Sequence, residues 1–411
     1  MRILFSILLA CLAPFASLAC TSFKVTTAGL TLIGCNEDAW STNAQVRFEQ
    51  GHDGRYGGIY LGHFNGSPLR AMTDQMGMNE AGLVFDGLRI PTKQTPAKPG
   101  LPALAFDGLM TLVLRSCADV HQAAAVLRTY DRNAFAHAMI FLADRDGGYL
   151  IVENDTLIEG HDPWYAVGNW RMGSCSDPDA IPIPRLQAGR ALLAGGAEAS
   201  AESATRVLES MRACRTKLGN GTLFSALFDP TLGQTHLFFY HDFRERITFD
   251  LKQELAKGDR TVDMASLFGE KPEFEALKCY ITPFHQRWLF WAMTTWLVLT
   301  VLVGMGCGIW FLRDLLRLFR HRAHGSLPLP LFLGLASVVL VALLAALLLN
   351  EAPYYFGLGD VDPALAWLPV LFLAFTVGFL YLRPSRVWRY LAGVQLAAVL
   401  VMCIYWDMLW P

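Results

Sequence analysis

A cysteine stands where a leader segment would end. Residues 1–19 carry Arg2, an almost unbroken apolar run from Ile3 to Phe15, and then Ser17-Leu18-Ala19, which puts small residues at −3 and −1 of a cut before Cys20. The run is shorter than the ~20 apolar residues a spanning helix needs. A cut there leaves a chain that begins with cysteine, and such a residue holds a nucleophile and a base together. Its thiol can attack a carbonyl, and its free α-amine, of ordinary pKa ~7.7–8.0, can take the thiol proton. A leader followed by cysteine is also how bacterial lipoproteins begin, and lipidation blocks both groups. That pattern wants an aliphatic residue at −3, where this chain has Ser17; Leu8-Leu9-Ala10-Cys11 fits it better but leaves an unusually short apolar run.

The next polar cluster follows in Gly34-Cys35-Asn36-Glu37-Asp38-Ala39-Trp40. Ser22–Thr27 and Leu30–Cys35 read as strands joined by Ala28-Gly29, a hairpin signal. A hairpin of that length returns the Asp38 region to the side of Cys20. A carboxylate there would hold the α-ammonium and orient the amine towards the thiol. The other reading of Asn36-Glu37-Asp38 is a polar turn after a strand.

The elements that must position these residues form a mixed pattern. Gln45–Phe48 and Gly58–Leu61 read as short strands, and Gly82–Ile90 as another behind the turn-like Gly77-Met78-Asn79-Glu80. Phe106–Tyr130 is apolar at helical spacing and reads as one or two helices. Ala136–Ala143, the turn Asp144–Gly148 and Tyr149–Glu153 make a hairpin; Trp164–Val167 is a short strand ending at Gly168-Asn169. Helices are predicted at Pro184–Leu193 and Ala201–Lys217, and a closing hairpin at Leu223–Phe228 and His236–Tyr240. Strands, then helices, then strands predict an α+β domain with helices packed on sheets.

These residues resemble the choloylglycine hydrolase and penicillin V acylase group of N-terminal-nucleophile (Ntn) hydrolases. Members begin with a processed Cys-Thr, here Cys20-Thr21, and carry Gly-Arg-Asn-x-Asp about fifteen residues on, here Gly34-Cys35-Asn36-Glu37-Asp38. Their Met-Asn-Glu-x-Gly-Leu segment is Met78-Asn79-Glu80-Ala81-Gly82-Leu83, and their later strand ending in asparagine is Tyr165-Ala166-Val167-Gly168-Asn169. The resemblance covers roughly residues 20–250. It implies an αββα sandwich and cleavage of linear, non-peptide C–N amide bonds through a thioester on Cys20. Asp38 would position the amine and Asn169 would donate to the oxyanion. The chain departs from the pattern twice. Cys35 replaces the family arginine beside the nucleophile, and Cys35 could pair oxidatively with Cys20. Arg89 falls where the family has a second oxyanion asparagine. Arg185 and Arg190 are candidates for a distal arginine. Phe23, Trp40, Phe85 and Trp170 are candidates for an apolar lining, although aromatics beside strands are more often core.

From Trp288 onward the composition changes. Apolar stretches at Trp288–Leu312, Leu327–Leu349, Ala364–Leu382 and about Tyr390–Trp410 each approach the ~20 residues of a membrane span. Arg313, Arg317, Arg320 and Arg322 follow the first, and Arg383, Arg386 and Arg389 lie between the third and fourth. The loop between the second and third holds Glu351, Asp360 and Asp362 but no Lys or Arg. The positive-inside rule puts the arginine loops in the cytoplasm, which leaves the first domain outside, where the leader would also send it.

The expected organisation is a signal peptide at 1–19, an Ntn-hydrolase-like domain at 20–255, a linker at 256–287 and an all-α membrane domain of four helices at 288–411. The net charge of −2 gives no reason to expect nucleic acid. Neither His-x-x-x-His nor Cys-x-x-Cys occurs, so no metal or other cofactor is expected. An oxidising compartment permits disulfides, with Cys175–Cys214 a candidate pair, though spacing alone does not give connectivity. The expected partners are a small N-acyl amide and the lipid bilayer of a bacterial inner membrane, with the catalytic domain on its periplasmic side. Oligomeric state is not legible. The rival expectation is a non-catalytic Ntn-fold ligand-binding module or lipoprotein-like sensor coupled to the membrane helices.

Overall fold

The computed structural model describes residues 20–63, 73–103, 112–213, 221–321, 327–361 and 364–408. Two compact units divide the described chain, one ending at Tyr280 and the other beginning at Ile281.

The first unit is built on two antiparallel sheets. One has the order β10 (Trp164–Val167), β1 (Thr21–Thr27), β2 (Leu30–Ala39), β11 (Gly221–Asp229), β12 (Gln234–Phe239) and β13 (Asp242–Asp250). The other runs β14 (Arg260–Asp263), β3 (Ala44–Glu49), β4 (Gly58–His63), β5 (Thr73–Asn79), β6 (Val84–Arg89), β7 (Ala138–Ala143), β8 (Tyr149–Val152) and β9 (Leu157–Gly160). Side chains alternate across a strand, so each contact fixes which way a whole strand faces. The Ser22 hydroxyl of β1 donates to Asp86 of β6, so that face of the first sheet meets the second sheet. Thr21 points the other way and donates to the Met211 carbonyl at 3.2 Å, just past helix α3 (Ala201–Ser210). On β6, Phe85 alternates with Asp86 and packs into a cluster with Val120, Ala123, Ala124 and Leu127 of helix α1 (Val120–Leu127). Helix α2 (Pro184–Ala194) lies beside β10. The layers therefore run α2/α3, first sheet, second sheet, α1, an αββα arrangement.

Local sequence explains the element ends. Ala28 and Gly29 both take positive φ, 52° and 79°, as a two-residue primed hairpin turn requires. Asp119 caps α1 by accepting from the Gln122 N–H, and Ser200 caps α3 by accepting from the Ser203 N–H. Pro184 opens α2, where its missing N–H costs nothing.

Three expectations change. Asn36-Glu37-Asp38 is strand, not turn: β2 runs on to Ala39 because each of these polar groups finds a buried partner. Gly77, Met78 and Asn79 belong to β5, pairing with β4, and the turn begins at Glu80. Phe106–Tyr130, read as one or two helices, forms two pieces among the described residues, 112–116 and α1, the second capped by Asp119; residues 104–111 lie outside the described residues. Helix α3 ends at Ser210, short of the predicted Lys217, which is also outside them.

The second unit is helical: α4 (Arg287–His321), α5 (Pro328–Leu349), α6 (Trp367–Tyr381) and α7 (Arg386–Tyr405). Helices α4, α5 and α7 are long and apolar enough to cross a membrane. The third expected span forms only the 15 residues of α6, about 22 Å of helix against a hydrocarbon core of ~30 Å.

Candidate active site

Cys20 immediately precedes β1 and is buried, only 7% exposed. Ser22 pairs with Cys35 of β2 on one side and Val167 of β10 on the other. Carried two residues further, the β1–β2 register brings Cys20 abreast of Glu37, while β10 ends at Val167 and Asn169 lies just beyond it. The side chains bear this out for Glu37: the Cys20 thiol donates to its Oε2 at 2.9 Å. The other Glu37 oxygen, Oε1, lies 2.9 Å from Nε2 of His63, at the end of β4 in the facing sheet. All three side chains are buried, and among the described residues Nδ1 of His63 has no partner. Asp86 stands nearby with its Oδ2 held by Ser22 and its buried Oδ1 without a partner among the described residues.

Asp38 points to the opposite face of β2 from Glu37. Its Oδ1 accepts from the Thr222 hydroxyl at 2.5 Å, and its Oδ2 is ion-paired with Arg185 of α2. Burial pushes its carboxyl up to about 6, with Arg185 and Thr222 opposing the rise. Asn36 is on the same face and ties Thr21, the Leu208 carbonyl and the Ser225 hydroxyl together.

Asn169 donates its side-chain amide to the Arg89 carbonyl at 2.6 Å, and its Oδ1 is buried without a partner among the described residues. Arg89 ends β6 with its side chain exposed, so its link to the site runs through its backbone. Arg190 pairs with Asp179 rather than with anything near Cys20. Phe23 and Phe85 are core: the Phe23 ring lies against Gly34, which Leu208 of the helical layer also approaches, and Phe85 faces α1. Trp40 and Trp170 are half-buried.

The electrostatics around the thiol are acidic. Burial pushes the Cys20 thiol well above its ordinary range, and the carboxylates of Glu37, Asp86 and Asp38 push it further. Cys35, where the family arginine would be, is a buried thiol raised by burial and then by Asp86. Cys20, Cys35 and Cys175 are all free thiols; Cys214 lies outside the described residues. The thiol therefore rests protonated and needs a base in contact with it to become a nucleophile.

Sequence reading missed Glu37, His63 and Asp86 as members of this cluster. Asp86 carried a signal, since a lone carboxylate inside the apolar strand Val84-Phe85-Asp86-Gly87-Leu88 needs a buried partner. Glu37 carried one too, since strand alternation separates it from Asp38.

No protein-family model matches the sequence, and none of the curated proteins does. Among solved structures the chain is similar to a variant of conjugated bile acid hydrolase from Clostridium perfringens, at 14% identity and TM-score 0.48, covering 61% of this chain and 99% of that one. A second variant of the same enzyme gives 13% identity and TM-score 0.47, over 61% of this chain and 97% of that one. Penicillin V acylase from Agrobacterium tumefaciens gives 15% identity and TM-score 0.44, over 59% of this chain and 91% of that one. These neighbours come from the group that the sequence motifs resemble.

Proposed function

We propose that the first unit is an N-terminal-cysteine hydrolase that cleaves linear amide C–N bonds of small N-acyl compounds. The observation that carries this reading is the position of Cys20: it immediately precedes β1, buried, with its thiol donating to a carboxylate. The thiol proton passes to a base, the sulfur attacks the acyl carbon, and the C–N bond breaks as the proton goes to the departing nitrogen. Water then cleaves the thioester and restores the thiol. The resemblance assigns the base to the α-amine freed by cutting before Cys20, with Asp38 holding it. Asn169 stabilises the oxyanion through the amide hydrogen not given to Arg89, a contribution of ~2.7–4 kcal/mol for one such donor. Helices α4, α5 and α7 support a membrane anchorage, and the arginine loops support an envelope-facing catalytic unit. A substrate that partitions into or near the bilayer fits that placement.

Mass spectrometry of the mature chain, together with hydrolysis of a panel of N-acyl amides by the native protein and Cys20→Ser, tests the proposal. We expect an unmodified N-terminal Cys20, turnover by the native chain, and loss of turnover by at least a thousandfold in the variant. A lipidated or internal Cys20, or hydrolysis unchanged in Cys20→Ser, overturns the mechanism. Absence of turnover across the panel favours a ligand-binding module, to which the neutral, acid-surrounded thiol is also suited.

A further inference from the structure

We infer that Glu37 is the catalytic base and acid for Cys20, and that His63 is the residue that positions it. The inference rests on the amidase reading and changes its proton chemistry. The thiol already donates to Oε2 of Glu37 at 2.9 Å, so the proton has a short path to an acceptor that touches the reacting atom. The carboxylate is held from behind by His63, whose Nε2 lies 2.9 Å from Oε1. The two contacts come from different sheets and pin both oxygens of one buried side chain, leaving it little freedom to turn away. A Cys–Glu–His chain of this kind follows the logic of nucleophile, base and orienting group, with the carboxylate in the middle place.

The surroundings argue against the α-amine as the sole base. Cys35 from β2 and Asp86 from β6 share this neighbourhood with Glu37, whereas Asp38 lies on the opposite face of β2, ion-paired with Arg185 of α2. The Glu37 carboxylate beside Cys20 favours the charged form of any amine released there. The ammonium then supplies positive charge that the missing arginine does not, and the proton transfer falls to a carboxylate. In the acylation step the S–H proton moves to Glu37, the S–C bond forms, the C–N bond breaks, and Glu37 returns the proton to the leaving amine. In deacylation Glu37 takes a proton from water, the C–O bond forms, the C–S bond breaks, and Glu37 returns the proton to sulfur.

The test uses the full chain in detergent, an N-acyl 4-nitroanilide as substrate, and iodoacetamide labelling of Cys20 read by peptide mass from pH 6 to 10. Glu37→Gln is expected to lower kcat by 10²–10⁴-fold with KM within threefold. Removing that negative charge is also expected to move the midpoint of Cys20 alkylation to lower pH. Faster alkylation with slower hydrolysis is a pairing that a purely structural role does not produce. His63→Gln, which keeps a donor for Oε1, is expected to stay within threefold of native kcat, whereas His63→Leu loses about tenfold or more. Glu37→Gln that keeps kcat, or that loses alkylation together with hydrolysis, overturns the assignment. Equal rates for the two His63 variants overturn the positioning role. Failure of the amidase reading looks different: Cys20→Ser then hydrolyses the anilide as well as the native chain, or the native chain does not hydrolyse it at all.

Discussion

Asp38 ties the stability of the first unit to pH. Burial raises its carboxyl to about 6 and Arg185 restrains the rise. Because the folded value lies above the ordinary one of 3.8, the folded unit binds this proton more tightly than the unfolded chain does. Its contribution to stability is therefore fully present below pH ~4 and is lost as pH rises to about 6, a span worth on the order of 3 kcal/mol. Asp86 is pushed in the same direction, first by burial and also by the Glu37 and Asp38 charges, so it deepens the loss. Arg185→Gln removes the restraint on Asp38, and its decline should continue past pH 6 where the native contribution has levelled. Urea midpoints of the first unit, followed by pulse proteolysis of the full chain from pH 4 to 8, check this; identical profiles would count against the ion pair. At this scale the sequence showed what a hairpin can show. Asp38 and Asn169 could be named as candidates because one strand pairing or one motif points to each of them. His63 and Asp86 were not, because they arrive from two further strands of another sheet, and no local spacing encodes that meeting.

Among the elements, the β1–β2 hairpin decides whether the site exists, and Gly34 decides how closely that hairpin meets the helical layer. A Cβ on Gly34 would stand 2.3 Å from Cε1 of Phe23 and 3.1 Å from Cδ1 of Leu208. Phe23 is fully buried, and Leu208 belongs to α3, where its carbonyl also holds Asn36. Gly34→Val should therefore destabilise the first unit by about 1–3 kcal/mol, the usual cost of overpacking. It should also lower turnover through the displaced β2 rather than through chemistry. A fall in thermal midpoint with the Cys20 alkylation profile unmoved is the expected signature, and an unchanged midpoint would refute the packing argument. Most element positions were legible because turn chemistry marks them: Ala28-Gly29, Asp144–Gly148 and Gly168-Asn169 all fall between strands or at a strand end. The errors came where buried partners overrode local polarity, as in Asn36-Glu37-Asp38. Within Phe106–Tyr130, where the apolar spacing fits one helix or two, the capping residue Asp119 starts the second. Asn79 shows what a motif residue does once placed. Its Oδ1 accepts from the Leu83 N–H at 2.9 Å while its amide donates to the Leu114 and Cys117 carbonyls, so it joins the β5–β6 turn to the segment leading into α1.

For the molecule as a whole, the open question of chain path is whether α6 crosses the bilayer, and charge argues against length. Helix α6 has 15 residues where α5 has 22. If α6 did not cross, Arg383, Arg386 and Arg389 would share a side with Glu351 and Asp360 and lie opposite Arg313 and Arg317. The positive-inside rule disfavours that arrangement, because it would strand one arginine cluster on the outer face. A short span is accommodated by local thinning of the bilayer and snorkelling of flanking residues, at fractions of a kcal/mol per Å of mismatch. Arg383 and Arg386 flank the C-terminal end of α6 and are placed to do this. The expected path is then four crossings with both arginine clusters inside. In intact spheroplasts, a membrane-impermeant maleimide read by peptide mass should label the native Cys279, which is exposed, and an Asn350→Cys variant. It should label Ser385→Cys only after permeabilisation. Labelling of Ser385→Cys in sealed spheroplasts would show that α6 does not cross and that the arginine loop after it lies outside, whereas protection of Cys279 would reverse the orientation and remove the first unit from the envelope side altogether.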